Sequence, residues 1–155
     1  MKDMNKSKSD INEAIEKLDW SCALRDQNSA IALLSYMSDQ YDTQLIFDKK
    51  RKHTWENAVK VIELIGYPKN ATLLHNLIWL LQDVNWPGAL HGIEILATLD
   101  KRVVIPLIEE ALFAADKKDD SMWIGGLKML TNRLKLTCED FSDAELWAVF
   151  TKADF

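Results

Sequence analysis

Cysteine is scarce in this chain. Cys22 and Cys138 are the only two, and they stand far apart in sequence. Two such thiols make no disulfide framework, so the expectation is reduced cysteines in a cytoplasmic setting. Long hydrophobic runs are missing as well; no apolar stretch approaches the ~18 residues that span a bilayer, so no membrane partner is expected. The opening, Met1 to Asp10, is polar and lacks the apolar centre of a secretory signal. Basic charge is in short supply: 19 Lys and Arg against 24 Asp and Glu leave a net charge of −5. Neutralising phosphates needs a basic footprint, so nucleic acid is not the expected partner, whereas a basic protein is compatible. Catalytic signatures are also absent. The chain has no Gly-x-Ser-x-Gly, no Cys-x-x-Cys, no His-Glu-x-x-His and no phosphate-binding glycine loop. Gly125-Gly126 lies within a helical pattern and lacks the preceding strand such a loop requires.

What the chain does have is a recurring tetrapeptide. Trp20-Ser-Cys-Ala23, Trp55-Glu-Asn-Ala58, Trp86-Pro-Gly-Ala89 and Trp123-Ile-Gly-Gly126 each read Trp-x-x-small, spaced by 35, 31 and 37 residues. Self-similarity at this period marks a repeat architecture. At an offset of 31, Trp55 falls on Trp86, Ala58 on Ala89, Ile62 on Ile93, Glu63 on Glu94 and Ile65 on Leu96. The match continues with Leu74 on Ile105, Leu77 on Ile108 and Leu81 on Leu112. Trp and a small residue three positions on share a helical face; the large one fills a gap and the small one admits a neighbouring helix. The outer copies are weaker. The one at Trp20 has no second-helix counterpart, so it is either a degenerate end repeat or a coincidence.

At 155 residues the expectation is one domain burying about 70% of its unfolded surface. Residues 1–9 read as a disordered tail and 10–155 as the domain. Asp10 and Glu13 resemble a capping box before the apolar series Ile11, Ala14, Ile15 and Leu18. A break near Asp26-Gln-Asn28 precedes a short helix from Ala30 to Met37. Residues 38–53 read as a loop with a helical turn around 45–47, ending in the basic run Lys49 to His53. Helix pairs are then expected at about 54–83, 87–115 and 121–152. Thr54, Asn70, Asn85 and Asp100 serve as N-caps. Gly66-Tyr-Pro68 is a stop, and Ser142 with Glu145 forms a second capping box on which Phe141 staples to Leu146. No strand is credible. The expected class is all-α: a short right-handed α-solenoid of HEAT-like helix pairs behind an irregular helical cap.

The run Trp79-Leu-Leu-Gln-Asp-Val-Asn-Trp-Pro87 resembles the hallmark of an uncharacterised bacterial HEAT-like domain family, whose members carry Trp-Leu-Gln-Asp-x-Asn-Trp-Pro between two helices. The resemblance covers about Asp48 to Arg133, and the first 30 residues look like an addition. Leu80-Leu81 stands where one leucine is expected, and Gly88 where a branched residue is common. The resemblance implies the fold and no established activity; its members look like single-domain proteins found among bacterial toxin-immunity genes, which is association.

Candidate binding residues follow. Asp83 and Asn85 flank a helix–helix corner and either contact a ligand or shape the turn. Packing accounts for the four repeat tryptophans, Trp86 among them, while Trp79 and Trp147 are freer to anchor an interface. Glu109, Asp119 and Asp120 belong to an acidic field in the C-terminal half, which either steers a basic partner or confers solubility. His91 with Glu94 at i+3 could offer two metal ligands, but no further ligand is evident and no metal or other cofactor is expected. The basic run reads as a solvated loop. The leading expectation is a non-enzymatic protein-binding module, in its sharper form an immunity protein neutralising a basic toxin. The alternatives are a HEAT-like DNA-base glycosylase using Asp83, Trp79 and Trp86, or a scaffold subunit of a larger assembly. Oligomeric state is left open.

Overall fold

The computed structural model of the protein describes residues 4–153, with side chains from residue 8. Among the described residues there are helices and turns and no strand. Eight α-helices follow in order: α1 (Met4–Glu16), α2 (Leu24–Tyr36), α3 (Trp55–Ile65), α4 (Leu74–Trp79), α5 (Ala89–Ala97), α6 (Lys101–Lys117), α7 (Ser121–Arg133) and α8 (Ala144–Ala148). No described helix is long and apolar enough to cross a membrane. The chain divides into two compact units, Met1–Leu73 and Leu74–Phe155, where the sequence suggests one domain. The division falls inside the expected 54–83 pair, so α3 belongs to the first unit and α4 to the second.

In the first unit, α2 packs against both α1 and α3. Ile11, Ala14 and Leu18 present one apolar stripe, and Ala30, Ile31 and Leu34 another; all are buried. α1 begins at Met4, so helix already covers most of the expected tail, and Asp10 lies inside the helix rather than at its cap. α2 begins at Leu24, before the expected break at 26–28. The reason is Gln27, whose side chain turns inward. Its Nε2 donates to the carbonyls of Cys22 (2.7 Å) and Trp20 (3.1 Å), and Asn57 Nδ2 of α3 donates to its Oε1 (2.9 Å) and to Leu18 O (2.7 Å). Buried amides thus satisfy the carbonyls of the α1–α2 turn, which would otherwise be costly to cover. α3 starts after Thr54, but the Thr54 hydroxyl donates to Arg51 O instead of capping the helix. Gly66, at φ +77, ends it with its N–H on Ile62 O, a left-handed exit that suits glycine. Asn70 does not cap the following turn with its side chain; it donates to Ile62 O and so serves the C-terminus of α3.

In the second unit, a tight helical turn (Leu80–Gln82) extends α4, and α4 packs against α5 and α6. Leu74, Leu77, Ile78, Leu80 and Leu81 are buried, whereas His75 on the same helix is exposed. α5 starts at Ala89, two residues later than expected, because Gly88 at φ +85 carries the chain into it. Asn85 lies upstream of that start and does not cap it. Asp100 caps α6, accepting from Arg102 N at 2.8 Å, and Asp120 caps α7, accepting from Trp123 N at 3.0 Å. Before α8 the cap is Asp143, accepting from Glu145 N, one residue after the expected Ser142. Phe141 meets Trp147 and Phe150 edge to face.

Several pairs at the 31-residue offset agree in burial, while Ile65 and Leu96, and Leu74 and Ile105, differ. Ala58 and Ala89, Ile62 and Ile93, Leu77 and Ile108, and Leu81 and Leu112 are all buried, while Glu63 and Glu94 are both exposed. The tryptophans do not all follow the repeat. Trp55 and Trp123 are buried, with indole N–H groups on the carbonyls of Asp48 (2.8 Å) and Ile78 (3.2 Å). Trp86 is half-buried in the turn before α5. Trp20 lies in the turn before α2, 47% exposed, with its ring edge against His53. Packing therefore explains Trp55 and Trp123 fully, and Trp20 least.

Candidate functional site

Four of the sequence-derived candidates converge on one corner of the second unit. α4 and its extending turn stop at Asp83, and the chain reverses through Val84 to Gly88 before α5. Asp83 adopts an extended backbone there, and its Oδ1 accepts from Asn85 N at 2.9 Å while its carbonyl accepts from Trp86 N at 2.9 Å. These bonds make an Asx turn, the local structure that Asp promotes by mimicking a backbone acceptor. The turn brings Trp86 back onto Trp79, with ring centroids 5.2 Å apart and planes tilted by 31°. Both rings are half-buried, and the Asn85 side chain beside them is exposed. Leu90, in the first turn of α5, is exposed as well. The corner is thus an aromatic pair with a polar margin, a composition suited to contact with another molecule.

The three acidic candidates lie elsewhere and have mostly structural work. Glu109, on α6, accepts from Ser142 N (2.9 Å) and Ser142 Oγ (2.7 Å), tying the approach to α8 onto α6. Asp120 is the α7 cap. Asp119 is exposed, at φ +49 in the α6–α7 turn. Helix α6 runs on from Glu109 to Lys117, about 12 Å along its axis, and Asp119 follows in the turn beyond that end. Asp116 nearby is paired with Lys152 Nζ at 2.6 Å, and that contact raises the Lys152 pKa.

Glu94 is engaged by Arg133 through two bonds, of 2.9 and 3.1 Å, which hold its carboxyl below the usual carboxylate range. His91 and Glu94 therefore do not form an isolated pair, and among the described residues no three His, Cys, Asp or Glu gather as a metal site. The basic run is anchored as well. Arg51 meets Glu16 at 3.0 Å and Asp19 at 3.7 Å, and Lys49, Lys50, Lys52 and His53 are exposed.

On the α7–α8 side of this unit the sequence marks Trp147 as an interface candidate but not Thr131. Thr131 there is 1% exposed, and Trp147 and Phe150 stand nearby in an aromatic cluster. A lone helix threonine carries no motif, and only three-dimensional placement reveals it. Comparison of the chain with known protein families, with curated proteins and with solved structures finds no match.

Proposed function

We propose that this protein is a non-enzymatic protein-binding module of HEAT-like helix pairs, and that the Trp79–Trp86 corner with Asp83 and Asn85 is its contact surface. The observation that carries this is the half-buried indole pair at 5.2 Å, held by an Asx turn and bordered by exposed polar atoms. Indole surfaces that are rigid before binding lose little conformational freedom on contact, which is why tryptophan recurs at interface hot spots. The partner proposed is a basic protein, in the sharper form a toxin that this chain neutralises in the cytoplasm. The net charge of −5 favours such an encounter. The resemblance of Trp79–Pro87 to the HEAT-like domain family supports the helix-pair part of this reading and implies no activity.

The test is affinity capture with the full chain from its own cells, beside Trp86→Ala and Asn85→Ala. One stoichiometric basic protein, retained by the wild type and lost with Trp86→Ala, supports the proposal. Equal capture by the wild type and Trp86→Ala removes the corner from the interface. A low-salt gel shift with duplex DNA addresses the glycosylase alternative, since the same indoles and carboxylate would then meet an extruded base. A shift abolished by Trp86→Ala would overturn the protein-binding reading.

A further inference from the structure

The cleft between α7 and the 144–152 segment encloses about 240 Å³. Its apolar wall includes Trp147 and Phe150, whose rings meet edge to face at 5.2 Å. Phe141 also packs on both rings, so the wall is fixed by three mutual contacts. Thr131 lines the same cleft, and its hydroxyl is buried without a hydrogen-bond partner. Helix hydroxyls elsewhere in the protein do find carbonyls. Ser35 bonds Ile31 O at 2.7 Å, and Thr151 bonds Ala148 O at 2.8 Å. A buried hydroxyl left unsatisfied is unfavourable, and a ligand group that meets it relieves that cost. The polar lining adds Lys128 and Asn132, and no carboxylate, although the chain as a whole is acidic. Thr131, Asn132 and Lys128 all bring hydrogen-bond donors, which suit an anionic acceptor.

We propose that this cleft binds a small aryl carboxylate, with the ring against Trp147 and Phe150 and the carboxylate towards Thr131 and Asn132. Ligand pockets commonly run from about 300 Å³ upwards, so this smaller cleft suits one ring and a short acid. The proposal is independent of the Trp79–Trp86 corner, whose residues do not line the cleft.

The probe is phenylacetate, titrated into the full ¹⁵N-labelled chain, with acetate and phenylacetamide as comparisons. Saturable shifts confined to the amides of 128–132 and 147–151 are expected, with a Kd on the order of 1 mM for so small a ligand. Acetate and phenylacetamide should bind at least about fivefold more weakly, because each lacks one of the two recognition elements. Thr131→Val should weaken phenylacetate by about five- to tenfold while leaving the thermal midpoint unchanged or higher, since it removes the unsatisfied hydroxyl. A purely structural Thr131 would not give that combination. Asn132→Ala, at an exposed position, should also weaken binding, and it supplies the answer if Thr131→Val does not fold. The proposal is overturned by no saturable shift up to about 20 mM, well above the expected Kd, by equal affinity for phenylacetate and phenylacetamide, or by unchanged affinity in both variants.

Discussion

Gly126 of α7 lies directly against the main-chain carbonyl of Leu81, so close that a methyl group at Gly126 would be driven into that carbonyl. The fourth Trp-x-x-small copy therefore carries glycine where the second and third carry Ala58 and Ala89. A backbone atom cannot swing aside as a side chain can. Gly126→Ala should destabilise the second unit by about 1–3 kcal/mol, even though alanine is the better helix former. Gly92 is the control. A Cβ there would meet Leu77 Cδ2 at 3.5 Å, an ordinary contact, so Gly92→Ala should be neutral or stabilising by up to about 1 kcal/mol. Urea unfolding of the two variants should give shifts of opposite sign, and equal shifts would mean that the Leu81 approach relaxes.

Asn57 holds the first unit in a different way, through one amide that serves two acceptors. Asn57→Ala leaves Leu18 O and Gln27 Oε1 without that donor and should cost about 2–3 kcal/mol. Asn57→Asp is the sharper variant, because it sets a carboxylate against those two oxygens. Gln27 could turn its amide to meet the carboxylate, but only by releasing the carbonyls of Trp20 and Cys22. Asn57→Asp should therefore be the less stable of the two near neutral pH. Greater stability for Asn57→Asp would show that the α1–α2 turn rearranges freely.

The acidic residues of the second unit divide by what their carboxylates hold. Asp120→Ala removes the α7 cap and should cost about 1 kcal/mol. Glu109→Gln exchanges a charge-assisted contact with Ser142 for a neutral one and should loosen the approach to α8, seen as faster amide exchange at 141–148. Asp119→Asn keeps a residue type that tolerates positive φ while removing the charge, so stability should change little. It is the clean probe of electrostatic steering. With a basic partner in hand, Asp119→Asn should slow association at low salt and leave dissociation nearly unchanged. An unchanged association rate would remove Asp119 from the steering field.

The helical, apolar pattern was legible because it rests on burial, and burial leaves a periodic trace. Ile62 and Ile93, or Leu77 and Ile108, are apolar pairs at a fixed offset, and both members of each are buried. The corner was legible for a similar reason: Asp two residues before Asn, with Trp-Pro following, is turn chemistry written locally. Cap assignments were less secure. Ser142 and Asp143 both carry the right oxygen before α8, and the choice between them depends on a distant partner, Glu109, which engages Ser142. Start points failed where a polar side chain turned inward, as with Gln27, since sequence marks glutamine as polar without saying which way it faces. Of the cleft the sequence showed Trp147 alone; Thr131 left no trace, because α7 and the 144–152 segment meet only in three dimensions.

Tyr41 gives the first unit a dependence on alkaline pH. Its hydroxyl donates to Leu34 O at 2.7 Å, and burial pushes its pKa up to about 12. An unfolded tyrosine titrates near 10. The native state thus keeps its proton over a range where the unfolded chain releases it. Release from the unfolded state favours unfolding, so the stabilising contribution of Tyr41 is fully present below about pH 10 and is lost progressively as pH rises towards about 12. Tyr41→Phe removes both the proton and the hydrogen bond. It should be less stable than the wild type at pH 8, with the gap narrowing as pH approaches 11. Thermal melts of both proteins between pH 8 and 11 measure this directly. A gap that stays constant would mean that the Tyr41 ring is open enough to ionise in the folded protein as it does in the unfolded one.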